Sequence, residues 1–172
     1  YFPFKQHWLE LSARDVQPDS GSSFMEARAA WRGVYSADLL RINGPYTIAY
    51  SRQSLETAES ISKRVYEDRL DLSTEARVLD RGVLLAEIFG EQRTDGNRTL
   101  GATVSPRYIL WDKPQLQLGY LFSTADSDRN PADYYAPQEY VNHMAVASFD
   151  LALFDQMHVR GFAGYGTAIS KN

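Results

Sequence analysis

The chain has 172 residues, a formal net charge of −4 and no cysteine. That length suits one domain with its own core. An apolar content of 44% is too high for a disordered chain, and the missing cysteine excludes a disulfide scaffold and a thiolate zinc site. The mild acidity argues against a nucleic-acid partner, which is met by a basic face. No stretch approaches the roughly 18 uninterrupted apolar residues of a membrane-spanning helix. Aromatics nevertheless reach 13%, with 11 Tyr, while the mean hydropathy is −0.41. A membrane β-barrel reconciles those values, because only every second residue of its strands faces lipid.

The N-terminus, Tyr1-Phe2-Pro3-Phe4-Lys5, has no basic stretch ahead of an apolar run. It is not a signal peptide, so an exported chain would be mature or trimmed. Beyond it, period-two alternation recurs, the mark of strands with one apolar face. Leu9, Leu11 and Ala13 alternate with Glu10, Ser12 and Arg14. Met25 to Tyr35 alternate with Phe24, Glu26, Arg28, Ala30 and Arg32. Tyr46, Ile48 and Tyr50 form a third run, and Leu70 to Val78 a fourth, set against Arg69, Asp71, Glu75 and Arg77. Leu84, Ala86 and Ile88 alternate with Glu87 and Glu91, and Leu100 to Tyr108 with Thr99, Thr103 and Arg107. Runs from Leu116, from Ala145 and from Val159 complete the series, with Asp150 and Arg160 on the polar side. About nine or ten strands result, several as long as the roughly 9–11 residues that a tilted strand needs to cross a bilayer.

The connections alternate in length. Asp15–Ser22, Ser54–Arg64, Thr94–Arg98 and Thr124–Gln138 read as long. Asn43-Gly44, Asp80-Arg81-Gly82, Asp112-Lys113-Pro114 and Asp155-Gln156 read as tight turns. Long loops on one side and tight turns on the other are the habit of outer-membrane barrels. Leu55–Val65 and Thr74–Phe89 also have respectable helix propensity. In the second, Gly82 and the placing of every charge on one strand face weigh against a helix. The expected fold is therefore all-β: an antiparallel up-and-down transmembrane β-barrel, or a fragment of a larger one, forming a single domain over residues 1–172.

The polar face of such a sheet carries Glu10, Glu26, Asp71, Glu75, Glu87, Glu91 and Asp150 with Arg14, Arg28, Arg32, Arg69, Arg77, Arg107 and Arg160. Seven acids meet seven arginines and no lysine. Charges on an inner face must be wet or paired, and the planar guanidinium fork suits such pairing. Two readings follow: a salt-bridge lattice that braces the barrel, or a water-filled lumen that passes a polar cargo. On the apolar face, Trp31, Tyr35, Tyr46, Tyr50, Tyr108, Tyr120 and Tyr165 suit a membrane–water boundary, though also the core of a soluble sandwich.

Catalytic signals are poor. His7, His143 and His158 lie in no metal-ligand spacing, and each reads as a surface or lumen histidine. There is no nucleophile elbow, P-loop or dinucleotide fingerprint. Gly161–Gly166 resembles a glycine-rich loop only superficially, because it falls in the last strand. Ser127, Asp128, Asp133 and Glu139 have oxygens that suit calcium, but loops of this kind are ordinarily just solvated. No cofactor, metal or catalytic residue is expected.

The stretch Asp133-Tyr134-Tyr135-Ala136-Pro137-Gln138-Glu139-Tyr140, running into a strand that ends near Asp155, resembles the C-terminal barrels of bacterial exopolysaccharide secretion porins of the cellulose and poly-N-acetylglucosamine type. The resemblance implies a passive channel in the outer membrane, a polysaccharide cargo, and a periplasmic helical-repeat region or export partners. The chain departs from that pattern in lacking helical repeats, in its low strand count and in a C-terminus without a final aromatic. An odd strand count also points to a fragment or to a count wrong by one. Against this expectation stands a soluble β-barrel or β-sandwich binding module, in which the apolar residues would point inward. A hydrolase built in a barrel lacks any nucleophile motif.

Overall fold

The computed structural model describes residues 5–16, 24–37, 41–55, 65–132, 134–154 and 157–171. They form nine strands: β1 (Lys5–Val16), β2 (Phe24–Ala37), β3 (Ile42–Ser54), β4 (Tyr66–Val78), β5 (Gly82–Arg93), β6 (Arg98–Asp112), β7 (Gln115–Ser127), β8 (Gln138–Phe154) and β9 (Met157–Lys171). Each strand pairs antiparallel with its neighbour in the chain, giving one up-and-down sheet in the order β1 to β9. No pairing joins β1 to β9 among the described residues, so the sheet is open. The expectation of an all-β antiparallel meander holds.

Register follows from the alternation. One row crosses all nine strands as Leu9, Trp31, Ile48, Leu72, Ile88, Ala102, Thr124, Val141 and Ile169. The adjacent row, on the opposite face, runs Trp8, Arg32, Thr47, Ser73, Glu87, Thr103, Ser123, Asn142 and Ala168. A slip of one residue anywhere would exchange these faces and set arginines among leucines, so the pattern itself selects the pairing.

Burial tells which way the sheet curls. Buried strand residues fall on the charged face, from Ala30 and Ala49 through Val83, Ser105 and Ile109 to Val146; among the described residues, only Gly33, Gly44 and Ala76 are buried on the other. Large apolar side chains do the opposite. Leu70 is 56% exposed and Leu72 49%, and of the exposed large hydrophobics on strands among the described residues only Trp8 and Phe162 share the charged face. The charged face is the concave one. The arrangement is the reverse of a soluble barrel, where the leucines would fill the middle.

The connections alternate as expected, with differences in detail. Residues 55–65, 94–97 and 128–137 connect strands at one end, and 79–81 and 113–114 connect them at the other. At the tight end the turns bond sideways: the Leu79 N–H donates to the Arg41 carbonyl at 3.2 Å, and the Ile109 N–H to that of Arg81 at 2.8 Å. Asn43-Gly44 is not the turn expected there. It lies inside β3, whose pairing with β2 runs on to Ala37 opposite Ile42. Gly44 is a close-approach glycine: a Cβ there would run into the Glu75 carbonyl of β4. The last long loop is shorter than Thr124–Gln138, because β7 continues to Ser127. Thr74–Phe89 is two strands rather than a helix, the turn falling between Val78 and Gly82. The helix weighed for Leu55–Val65, the Asp15–Ser22 connection and the Asp155-Gln156 turn lie largely or wholly outside the described residues.

Candidate functional site: the charged concave face

Strand parity puts all fourteen charged residues singled out above on the concave face, and the register makes many of them neighbours. On β1 and β2, Arg14 meets Glu26 at 2.6 Å and Arg32 meets Glu10 at 3.1 Å. On β8 and β9, Arg160 meets Asp150 at 2.8 Å. The centre of the lattice lies on β4 and β5. There Arg69 binds Asp71 at 2.7 Å, Glu87 at 3.0 Å and Glu91 at 2.5 Å, with its guanidinium 4.1 Å from the Phe89 ring centroid. One planar cation holds three carboxylates, which a lysine could not do with the same geometry. Arg107 bonds Ser105 at 3.1 Å instead of a carboxylate. Arg28, Glu75 and Arg77 join none of the ion pairs among the described residues.

Two charges absent from that set are the most buried among the described residues. Arg93 and Glu67 are each 5% exposed. Arg93 binds Glu67 at 2.8 Å and Glu91 at 2.7 Å, and donates to the Thr99 hydroxyl at 3.0 Å. The signal was available: Glu67 and Arg93 continue the parity of Arg69 and Glu91 past the last apolar residue of each run. They add one charge of each sign, so the balance of the face is unchanged.

The loop between β7 and β8 folds over this buried pair. The Tyr134 ring lies 4.7 Å from the Arg93 guanidinium carbon. Its hydroxyl donates to Asp95 at 2.6 Å, and Asn97 donates to it at 3.2 Å. Asn97 is fully buried; its Nδ2 also donates to the Arg129 carbonyl, and its Oδ1 accepts the Arg129 N–H. Ala136 packs with Tyr134, Val65 and Leu55 into a small apolar cluster. The segment that carries the sequence resemblance therefore caps the concave face at the long-loop end; Asp133 lies outside the described residues. Burial works against the charge of Asp95, but the Tyr134 hydroxyl, the Asn97 N–H and the Arg129 and Arg93 cations outweigh it and hold the carboxyl below its ordinary 3.8. Burial and the bond to Asp95 push the Tyr134 phenol above its ordinary 10.0. Of the oxygens considered for calcium, the Ser127 hydroxyl is buried and bonded to Thr99 at 2.8 Å.

Several polar tips on the convex face are bonded within the sheet. The Trp31 indole N–H donates to His7 Nδ1 at 3.2 Å, and the Tyr46 hydroxyl meets the same nitrogen at 3.0 Å. Tyr120 bonds His143. Tyr35 bonds Thr74 at 3.1 Å and Tyr50 donates to Asp68 at 2.5 Å. His7 and His143 therefore sit among aromatics on the apolar convex face, not on the concave one, and the His158 side chain lies outside the described set.

No family model matches this chain, and neither a curated protein nor a solved structure matches it.

Proposed function

We propose that the chain forms the wall of an outer-membrane β-barrel, or a sector of a larger one, and that its concave face borders a water-filled conduit for a polar polymer, an exopolysaccharide. The observation that carries this reading is the inverted distribution of side chains: exposed leucines on the outside of the curl, paired arginines and carboxylates within it. An exposed apolar face of this extent marks contact with something apolar, and hydrocarbon fits a face that girdles the sheet. The hydrogen-bonded aromatic tips fit it too, because an unmet donor in lipid is costly. Open strand edges are costly there for the same reason, so β1 and β9 would be completed by further strands or by another copy.

The chemistry of transport follows from the lattice. Arg14, Arg32, Arg69, Arg93 and Arg160 are held by carboxylates, and acids and arginines balance over the face, so the wall presents a dense set of donors and acceptors with little net field. A neutral hydroxylated polymer can exchange hydrogen bonds with that wall and with water without falling into a deep well. The resemblance implies a passive channel, so export would be driven elsewhere. The resemblance adds a periplasmic helical-repeat region or other export proteins as partners, and outer-membrane lipid is the surrounding medium.

The test is solubility and conductance. The chain should need detergent or lipid to stay dispersed, and in planar bilayers it should open channels with weak preference between anions and cations. A detergent-free monomer would favour the soluble binding module, and strong selectivity would contradict the balanced lumen.

A further inference from the structure

The convex face carries a groove that strand packing does not explain. It lies over β4, β5 and β6 toward the long-loop end and has a volume of about 920 Å³, within the range of ligand sites. Leu70, Ile88 and Leu100 wall it, and Gly90 forms its floor. Gly90 pairs in register with Leu70 and Leu100, so a side chain there would stand between them. A Cβ on Gly90 would meet nothing within 4 Å, whereas one on Gly33, Gly101 or Gly161 would strike a packed ring. Those glycines make room for an aromatic of this chain. Gly90 makes room for none, though glycine weakens a strand interior.

The rim of the groove is polar. Gln92 and Arg98 pair across β5 and β6 one row above Gly90, with Asp126 and Asp128 beside them. Those four are exposed; Asp126 accepts the Glu139 N–H at 3.0 Å, Asp68 opposite Gln92 is held by Tyr50 and Arg52, and the Arg98 guanidinium joins none of the ion pairs among the described residues. An apolar trough that opens on a cation flanked by two carboxylates is complementary to an apolar chain bearing a headgroup with both charges. We infer that the groove seats one acyl chain of a zwitterionic phospholipid, with its phosphate toward Arg98 and its cation toward Asp126 and Asp128. The inference rests on the membrane reading given above.

The full chain would be inserted into phosphatidylcholine vesicles doped with phosphatidylcholine that carries a photoactivatable group on one acyl chain. Crosslinks should concentrate on the segments holding Leu70 and residues 88–100, and not on Leu118, which is exposed on the same face. Gly90→Leu fills the floor and should cut that labelling about tenfold. Leu100→Ala, which removes a wall, should lower it as well, while Ala86→Leu, on the same face of β5, should not. Arg98→Gln should abolish the preference for this probe over a diacylglycerol with the same chain. Labelling spread evenly over the convex face, or unchanged in Gly90→Leu, would overturn the inference and leave the membrane reading intact. So would a chain-to-chain crosslink lost in Gly90→Leu, which would assign the groove to a second copy. Failure of the chain to float with the vesicles would end both readings.

Discussion

The guanidinium of Arg93 is sandwiched between two kinds of partner: the Tyr134 ring, 4.7 Å from its carbon, and the carboxylates of Glu67 and Glu91 at 2.8 and 2.7 Å. Its position joins the strand lattice to the loop that covers it. The cation is nearly excluded from water, so its worth depends on every partner being present.

Removing that cation should be costly. Arg93→Met leaves Glu67 and Glu91 buried without their shared counter-charge, a change of about 3–5 kcal/mol for a broken buried pair. Arg14→Met, in an exposed pair, should cost about 0–1 kcal/mol. Urea unfolding in detergent or lipid, followed by tryptophan fluorescence, separates the two.

The loop should be sensitive to pH at both extremes. Asp95 titrates lower in the folded chain than unfolded, so its contribution is present above the ordinary carboxylate value and is lost as pH falls through the depressed one. Tyr134 titrates higher when folded, so its contribution is full below about pH 10 and is lost as pH rises through the elevated value. Protease cleavage within 128–137 should therefore be slow between these limits and rise beyond each. Tyr134→Phe should accelerate cleavage throughout, because it deletes the bonds to Asp95 and Asn97.

A charge placed on the convex face distinguishes lipid from water as its neighbour. In a bilayer Leu72→Arg, in the row that spans the sheet, should destabilise by about 2–4 kcal/mol, and Leu100→Arg, nearer the polar rim, by less. A soluble protein with those leucines on its surface would tolerate either change within about 0.5 kcal/mol. Equilibrium unfolding of the two variants decides between them.

Neutralising one sign in the lattice should tilt ion preference. Arg69→Gln leaves Asp71, Glu87 and Glu91 without their common cation and should make conductance cation-selective. Glu87→Gln removes one acid and should move it the other way. Reversal potentials across a salt gradient give the sign of each shift.

Gly44→Ala should destabilise β3 against β4 although alanine is otherwise a mild substitution, because the added methyl meets backbone at Glu75 that cannot move aside. Thermal unfolding of the lipid-embedded chain, compared with Gly90→Ala, where the space is open, measures the difference.

The strand set, the pairing order and the division of side chains between two faces were legible in the residues alone, since period-two alternation is a local property and neighbouring strands in a meander find each other without long-range information. Asn43-Gly44 misled because the dipeptide that favours a tight turn also supplies a glycine where two backbones come close, and only the partner strand distinguishes these. Glu67 and Arg93 were missed because alternation was followed only as far as apolar residues marked it.

What depended on tertiary structure was curvature and depth. Nothing in the spacing of Arg93, Asn97 and Tyr134 shows that a loop folds back over a strand end, because that contact joins residues about 40 apart through side-chain bonds rather than through register. Composition likewise says that one face is apolar and the other charged, but the direction of curl is set by the packing of the whole sheet. That curl leaves Leu70 and Leu72 outside and draws Arg93 and Glu67 in.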